Sequence, residues 1–384
     1  MVQTGLDVVL SDHIDELRRV SVGIVANHAS VTSDLVHISD ALHMRGVKIA
    51  ALFGPEHGAR GDVADGEAVG NATDDRLGVP VYSLYGETRS PTERMLAGID
   101  LVICDLQDVG ARFYTFLYTM ANVMAGCGEH GVLVWVLDRP NPISGLRPDG
   151  PVLEPEFASF IGLYPIPMRH GLTVGELARL FCDSFGVTCK LRVIQMRGWI
   201  RDMWFEQTGL PWVPPSPNMP LVETAAVYPG LCLIEGTNVS EGRGTVRPFE
   251  TFGAPWVDPA KLKSRLLEYE LPGAAFREAY FTPTASKFEG ERCAGVQVYV
   301  TNRGAFRAPL TGAAVVHALY TLYPERFEFR PPSPVHGKRF FDLLAGNSRL
   351  REAIEAGTDP WRIAESWDAE LAAFEPHARA AMFY

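Results

Sequence analysis

The sequence predicts an α/β protein with a Rossmann-like parallel sheet domain over residues 1–244 and a smaller α+β domain over residues 245–384. In the first part, short apolar segments alternate with helical segments, which is typical of a parallel sheet covered by helices. From about residue 245 the order changes to one helix, two strands and further helices. The length of 384 residues also favours two domains over one.

Apolar runs rich in valine and isoleucine predict the strands of the first domain. These runs are continuous rather than alternating, because strands of a parallel sheet are buried on both faces. The predicted strands are Val20–Asn27, Val47–Phe53, Val79–Leu84, Leu101–Asp105 and Val132–Asp138.

Helical periodicity appears between these strands and beyond them. We expect Ser33 to be an N-cap, and Thr173 and Glu176 to form a capping box. Proline excludes a helix within Pro211–Pro220, so that segment is predicted to be extended. The predicted helices of the first domain are Ser33–Arg45, Thr92–Ala97, Phe113–Gly128 and Thr173–Phe185.

The second domain is predicted to be a small α+β unit. Its elements in chain order are helix Pro259–Glu268, strands Ala275–Phe281 and Cys293–Val300, and helices Leu310–Leu322 and Pro360–Phe374.

Composition restricts the classes of partner. A formal charge of -11 without any run of basic residues argues against nucleic acid and anionic membrane surfaces. Six cysteines without a CxxC pair are read as mostly buried thiols, and no cofactor or metal is expected. We expect a cytoplasmic protein without a membrane span, or a secreted or periplasmic one if a signal peptide has been removed. The oligomeric state stays open.

Polar residues follow four of the predicted strands. Ligands of an open parallel sheet bind beyond the carboxyl ends of its strands, so we expect these residues to form a site. The four polar segments are Asn27–His28, Gly54–Gly58, Asp105–Asp108 and Asp138–Asn141.

Glu56 is the sharpest candidate among them. It follows an apolar strand directly, and its glycine- and proline-containing loop can hold a carboxyl group partly away from water. Burial raises the pKa of a carboxyl group, which suits a general acid. The alternative is that Glu56 caps a helix or pairs with Arg60. The neighbouring His57 is read as a ligand, a proton shuttle or a histidine bonded to backbone.

The other candidates are polar groups that suit a sugar, together with an aromatic group on which a sugar can stack. Tyr114 belongs to an aromatic run whose other members, Phe113, Phe116 and Tyr118, are expected to belong to the core rather than to the site. We expect Asp138 to be structural or to support a residue that binds substrate, and Asn141 to face substrate. The glycine-rich segment Glu235–Thr245 indicates a loop that approaches a ligand closely, or else a polar turn between domains. The candidate substrate-binding residues are Asn27, His57, Arg60, Gln107, Asp108, Arg112, Tyr114, Asn141, His170, Asn218, Glu235, Asn238 and Arg243.

Several common catalytic motifs are absent from the sequence. No G-x-G-x-x-G follows the first strand, and neither a Walker A sequence, a G-x-S-x-G elbow nor an H-E-x-x-H occurs. The sequence therefore gives no indication that the Rossmann-like domain binds a nucleotide.

Four long strings resemble a known family. Phe53–Gly58, Asp105–Gly110, Leu137–Pro142 and Glu235–Thr245 are similar in identity and order to strings of the exo-β-N-acetylmuramidase (NamZ-like) glycoside hydrolases. The resemblance covers nearly the whole chain. It implies a Rossmann-like domain, a smaller C-terminal domain and an active site in the cleft between them. It also implies removal of terminal N-acetylmuramic acid from peptidoglycan fragments.

The resemblance suggests roles for particular residues. Glu56 would be the general acid, and a second carboxyl group would come from Asp105, Asp108, Glu235 or Glu241, with Asp105 and Glu241 preferred. A 2-acetamido group of the substrate could replace this second carboxyl. The lactyl carboxylate of the sugar would meet one of three cations, which are Arg60, Arg112 and Arg243.

Two other functions stay open at this point. A metal-dependent hydrolase would use Glu56, His57, Asp105 and His170 as ligands. A carbohydrate-binding protein without catalysis would need only the aromatic, aspartate and asparagine side chains.

Overall fold

The strands of the protein fall into a large sheet, a small sheet and a hairpin. The computed structural model describes residues 1–56, 58–59, 72–86, 88–335 and 337–384. The strands are β1 (Ser21–Ala26), β2 (Lys48–Gly54), β3 (Ala72–Thr73), β4 (Pro80–Ser83), β5 (Leu101–Asp105), β6 (Leu133–Leu137), β7 (Asp149–Val152), β8 (Pro167–Arg169), β9 (Lys190–Ile194), β10 (Thr251–Ala254), β11 (Ala274–Phe281) and β12 (Cys293–Val300).

The large sheet confirms the predicted Rossmann-like architecture. In the described part of the chain it has seven strands in the order β3-β4-β2-β1-β5-β6-β9. All neighbours pair in parallel except β3 and β4, which are antiparallel. The chain runs outward from β1 through β2 to β4 and then returns to the other side of β1 at β5. The strand order therefore reverses between β1 and β5. All five predicted strands are present, with bounds within two residues of those expected.

Alternate residues of the central strands pack into two different apolar cores. Val22 and Ile24 of β1 belong to the core on one face of the sheet. Val25 belongs to the core on the other face, together with Phe53 of β2 and Cys104 of β5. Burial on both faces is the physical reason why these strands appear as continuous apolar runs in the sequence.

The helices cover the sheet and build most of the second domain. They are α1 (Gly5–Val8), α2 (Ile14–Leu17), α3 (Ile38–His43), α4 (Glu93–Leu96), α5 (Phe116–Glu129), α6 (Val174–Phe185), α7 (Val222–Leu231), α8 (Pro259–Glu268), α9 (Ala308–Leu322), α10 (Phe340–Ala345), α11 (Arg349–Glu355), α12 (Pro360–Glu365) and α13 (Asp368–Ala381). A π-helical turn, Val9–His13, joins α1 to α2. None of the helices in the described ranges combines the length and apolar character needed to cross a bilayer.

The predicted helix Thr173–Phe185 is present as α6. Thr173 and Glu176 form the expected reciprocal capping box at the start of α6. The prediction that Ser33 caps a helix was wrong, because α3 begins only at Ile38 with His37 as its N-cap. The side chain of Ser33 instead donates to Asp7 at 3.3 Å. The predicted helix Pro360–Phe374 is two helices, α12 and α13, with a break before Asp368.

The second domain contains a three-stranded antiparallel sheet in the order β10-β12-β11. The core on one face of the large sheet continues into this domain and includes Val296, Leu319 and Phe341. Helices α7 and α9 cross very closely, since a Cβ added to Gly230 would lie 1.8 Å from the carbonyl oxygen of Ala308. This continuous packing favours a fixed arrangement of the two domains. The predicted boundary at residues 244 and 245 stays a prediction.

Asp138, at the end of β6, links the large sheet to the last residue of the chain. Its Oδ2 accepts hydrogen bonds from Tyr384 Oη at 2.7 Å and Thr173 Oγ1 at 2.8 Å, while Gly175 N–H donates to Oδ1 at 2.8 Å. Burial raises the pKa of Asp138 to about 7, although these three hydrogen bonds act in the opposite direction. The side chain is fully buried, in agreement with a structural role.

Folding stability is therefore expected to depend on pH through Asp138. A raised pKa in the folded state means that its stabilisation is present below about pH 4 and is lost as pH rises through about 7. At 1.36 kcal/mol per pKa unit, the loss is at most about 4 kcal/mol of the free energy of unfolding. Urea unfolding between pH 4.5 and 8 measures it. Asp138→Asn should flatten the decline, whereas Asp183→Asn on the surface should not. If the free energy of unfolding fell equally with pH in the parent and in Asp138→Asn, Asp138 would not be the group responsible.

Candidate active site

A narrow cleft opens beyond the carboxyl end of β2, next to the start of α5. Its empty volume is about 470 Å³, and it is named the acid cleft below. Both the large sheet and the segment leading into the second domain contribute to it. The lining residues are Glu56, Phe113, Tyr114, Thr115, Phe116, Ser216, Asn218, Met219, Tyr228, Arg243 and Phe249.

A tight turn presents Glu56 to this cleft. The N–H of Gly58 donates to the carbonyl oxygen of Pro55 at 3.0 Å, and Gly58 has a φ of +80°, which favours glycine. A Cβ on Gly54 would lie 2.7 Å from the nitrogen of Ala59, so the turn closes on the strand only without a side chain there. The glycines thus fix the path of the loop, and Glu56 is left half-buried.

The two carboxyl oxygens of Glu56 have different surroundings. Thr115 Oγ1 donates to Oε2 at 2.9 Å, and Thr115 directly precedes α5, whose N-terminus favours a nearby negative charge. The other oxygen, Oε1, accepts no hydrogen bond from any described residue. The arrangement orients the carboxyl group and leaves one oxygen available to a bound molecule.

A second and larger cleft adjoins the acid cleft and shares Arg243 with it. Its empty volume is about 1190 Å³, and it is named the wide cleft below. The second domain supplies one of its sides. The lining residues are Glu235, Thr237, Asn238, Glu241, Arg243, Ser286, Lys287, Phe288, Arg330 and Phe340.

Three contacts between opposite charges lie along the wide cleft. Arg243 Nε donates to Glu235 Oε1 at 2.6 Å, and the same nitrogen lies 3.7 Å from Glu241 Oε1. Lys287 Nζ lies 2.9 Å from Glu241 Oε2 and also donates to the carbonyl oxygen of Val239 at 2.8 Å. Lys287 therefore connects the loop between β11 and β12 to the Glu235–Thr245 segment by an ion pair and a hydrogen bond.

Asp105 lies away from both clefts in a buried ion pair. Arg139 donates from Nε to Oδ1 at 2.5 Å and from a terminal nitrogen to Oδ2 at 2.7 Å. Both side chains are buried, and Asp105 is completely so. Because Arg139 occupies both carboxylate oxygens, the pair joins the ends of β5 and β6 and leaves neither oxygen free for substrate.

The crevice where the strand order reverses is filled by the protein itself. The predicted extended segment Pro211–Pro220 contains neither helix nor strand and crosses this position. Asn27 Nδ2 donates to the carbonyl oxygen of Pro215 at 2.9 Å, and His28 Nε2 lies 2.6 Å from that of Pro214. The usual ligand position of a doubly wound sheet is therefore occupied by backbone.

Four further candidates form a buried network that ties three loops together. Gln107 Nε2 donates to the carbonyl oxygen of Pro140 at 3.0 Å, and Asn141 Nδ2 donates to that of Leu172 at 2.9 Å. His170 Nδ1 accepts from the N–H of Leu172, so its Nε2 carries the proton and donates to Asp108 Oδ2 at 3.1 Å. The structure brings these side chains together with one another rather than with Glu56.

Arg112 is also inaccessible from the clefts. Its guanidinium donates to the carbonyl oxygens of Pro151 at 2.7 Å, Ile166 at 3.0 Å and Leu344 at 2.7 Å. Burial lowers the pKa of Arg112 to about 10. The last of these contacts reaches α10, so Arg112 holds the second domain against the first.

The remaining candidates lie in different places. Tyr114 and Asn218 line the acid cleft, and Asn238 lines the wide cleft, where its amide also bonds to backbone at Arg326 and Glu328. The predicted sites His57 and Arg60 lie outside the described residues.

The proposed metal-ligand set is not assembled among the residues the structure describes. Within those ranges, no three histidine, cysteine, aspartate or glutamate side chains are grouped so as to hold a metal ion. Asp105 is bound by Arg139, and His170 is bound to Asp108. The described geometry gives no support to the metal-dependent alternative.

Several lining residues were not identified from the sequence. Thr115 was placed inside the predicted helix Phe113–Gly128, whereas the observed α5 begins only at Phe116, so that Thr115 directly precedes it. Lys287 and Arg330 belong to the second domain and stand in no motif, so only the packing of that domain against the Glu235–Thr245 segment reveals them.

Comparison with known proteins gives matches over almost the whole chain. A family model described as exo-β-N-acetylmuramidase NamZ, N-terminal, matches residues 22–223, and its C-terminal counterpart matches residues 226–384. The chain is 48% identical to the peptidoglycan β-N-acetylmuramidase NamZ of Bacillus subtilis (strain 168), over all of this chain and 91% of that protein.

Two solved structures of DUF1343 family proteins from Bacteroides fragilis NCTC 9343 have the same fold. One superimposes with a TM-score of 0.92 and 35% identity, covering 100% of this chain and 99% of that one. The other has a TM-score of 0.80 and 28% identity, with the same coverage. The two-domain architecture described above is thus shared over the full length of these proteins.

Proposed function

The chain belongs to the exo-β-N-acetylmuramidase NamZ family and is a glycosidase, and from this premise we propose that Glu56 is its general acid. The substrate is a peptidoglycan fragment with a β-linked N-acetylmuramic acid at its non-reducing end. The acid cleft holds the scissile bond of this terminal sugar.

One observation carries the assignment of Glu56. Among the described residues that line the acid cleft, it is the one carboxylic acid. Thr115 orients the group by bonding Oε2, so a proton on Oε1 can be donated to the glycosidic oxygen. The buried rings of Tyr114 and Phe249 line the same cleft and form an apolar part of its wall.

A second carboxyl group is available in the neighbouring wide cleft. Glu241 is preferred over Asp105 in this role, because Arg139 already occupies both oxygens of Asp105. Two cations, Lys287 and Arg243, lie within 4 Å of Glu241, and this environment suits a group that acts as a carboxylate. Glu235 and the 2-acetamido group of the substrate are the alternatives.

The activity is tested with a chromogenic β-N-acetylmuramide and the matching β-N-acetylglucosaminide. We expect turnover of the muramide at a clearly higher kcat/KM, and release of free N-acetylmuramic acid from the end of a peptidoglycan fragment. Tight binding of the fragment without any release of sugar would instead indicate a carbohydrate-binding protein without catalysis.

A further inference from the structure

The wide cleft has an uneven balance of charge. Two carboxylates line it, Glu235 and Glu241, and three cations line it, Arg243, Lys287 and Arg330. Glu235 pairs with Arg243 and Glu241 with Lys287, at 2.6 Å and 2.9 Å. The fifth charge, that of Arg330, is not neutralised by any carboxylate among the described residues.

Arg330 is held beside the segment that leads to the acid cleft. Its backbone N–H donates to the carbonyl oxygen of Gly236 at 2.9 Å, and the neighbouring Phe329 pairs with Thr237. The guanidinium carbon lies 5.9 Å from the centre of the Phe340 ring, which also lines the wide cleft. An exposed, planar guanidinium without a carboxylate partner in the described part of the chain suits recognition of a carboxylate by two parallel hydrogen bonds.

The other arginines considered for this role are less suitable. Arg112 is fully buried and bonded to backbone, and Arg243 is already paired with Glu235. Arg60 lies outside the described residues. A free carboxylate is therefore met more readily by Arg330 than by Arg112 or Arg243.

We infer that Arg330 binds the lactyl carboxylate of the terminal N-acetylmuramic acid, and that this contact distinguishes the sugar from N-acetylglucosamine. The inference rests on the proposed function, since it places the scissile bond at Glu56. The lactyl ether on C3 is the group that N-acetylglucosamine lacks. Because Arg243 lines both clefts, the wide cleft is the space next to a sugar bound at Glu56, and the inference places the lactyl side of the sugar there.

The test compares Arg330→Leu with the parent enzyme on the chromogenic muramide and glucosaminide. These two substrates share the same leaving group, so they differ only in the lactyl ether of the terminal sugar, which carries the carboxylate. We expect kcat/KM for the muramide to fall about tenfold or more, which corresponds to about 1.4 kcal/mol. The value for the glucosaminide should stay within about twofold, and Arg330→Lys should recover part of the loss because it keeps the charge.

Arg326→Leu is the matched control. Arg326 is an exposed arginine on the same segment and does not line the wide cleft, so its substitution should leave the ratio of the two kcat/KM values unchanged. Added salt should lower this ratio in the parent enzyme and much less in Arg330→Leu, because salt screens an exposed contact between charges.

The outcomes separate this inference from the proposed function. Absence of muramide turnover by the parent enzyme would reject the proposed function. The inference is then tested by calorimetric binding of N-acetylmuramic acid itself, which Arg330→Leu should weaken about tenfold relative to N-acetylglucosamine. Equal losses on both substrates, an unchanged ratio, or an effect confined to longer fragments would overturn the inference. No binding of N-acetylmuramic acid by the parent protein would overturn it as well.

Discussion

Glu56→Gln is expected to lower kcat on a natural fragment by about 10²-fold or more while leaving the fold intact. The glutamine keeps the shape of the side chain and still accepts the bond from Thr115, but it cannot donate an acidic proton to the glycosidic oxygen. The measurement is turnover of a fragment with a sugar leaving group, together with the thermal midpoint of unfolding.

The choice of leaving group decides whether this test is fair. Nitrophenolate leaves with little protonation, so a nitrophenyl substrate should show a much smaller loss than a sugar substrate. Glu93→Gln, on the exposed side of α4, is the control and should keep full activity on both. If Glu56→Gln retained nearly parent activity on the sugar substrate, another group would have to be the acid.

Arg139→Leu is expected to lower the free energy of unfolding by about 3–5 kcal/mol. The substitution leaves the fully buried carboxylate of Asp105 without the two hydrogen bonds that now compensate its burial. Urea unfolding at neutral pH measures the loss. The double variant Asp105→Leu/Arg139→Leu should recover much of it, because no buried charge then remains without a partner.

A further variant, Asp105→Asn, tests the role of Asp105 itself. If Asp105 acts on substrate, Asp105→Asn should reduce kcat strongly at nearly unchanged stability. If it is structural, as its pairing with Arg139 indicates, the loss of stability should be the larger effect. A stable but inactive Asp105→Asn would return Asp105 to the catalytic candidates.

Strands were predicted well because their signal is local and strong. β5 was predicted to the residue and β1 nearly so, since a strand buried on both faces must be apolar throughout. The hairpin of β7 and β8 gave no such signal, because its strands are short and include Pro151 and Pro167. α3 began later than predicted because Ser33 found another partner, Asp7, and a residue that can cap a helix need not do so.

The candidate site was predicted in part. Glu56 lies in a cleft as expected, since the glycines of its own loop force the chain to turn at that point. Asp108 and Asn141 also follow strands, yet their side chains are buried among neighbouring loops. Polar residues beyond a strand look alike in sequence, whether they bond to backbone or face a ligand.

The sequence by itself determined the parallel sheet, the capping box of α6, the family and the turn that carries Glu56. These features depend on residue type and short-range spacing, which a sequence displays directly. Only the tertiary structure decided which charges are free. Asp105 pairs with Arg139, and Arg112 donates to the carbonyl oxygen of Leu344, whereas Arg330 lines the wide cleft and pairs with no carboxylate of the described ranges. The reason is physical, because the charge available to a substrate depends on partners that are distant in sequence and close only after folding.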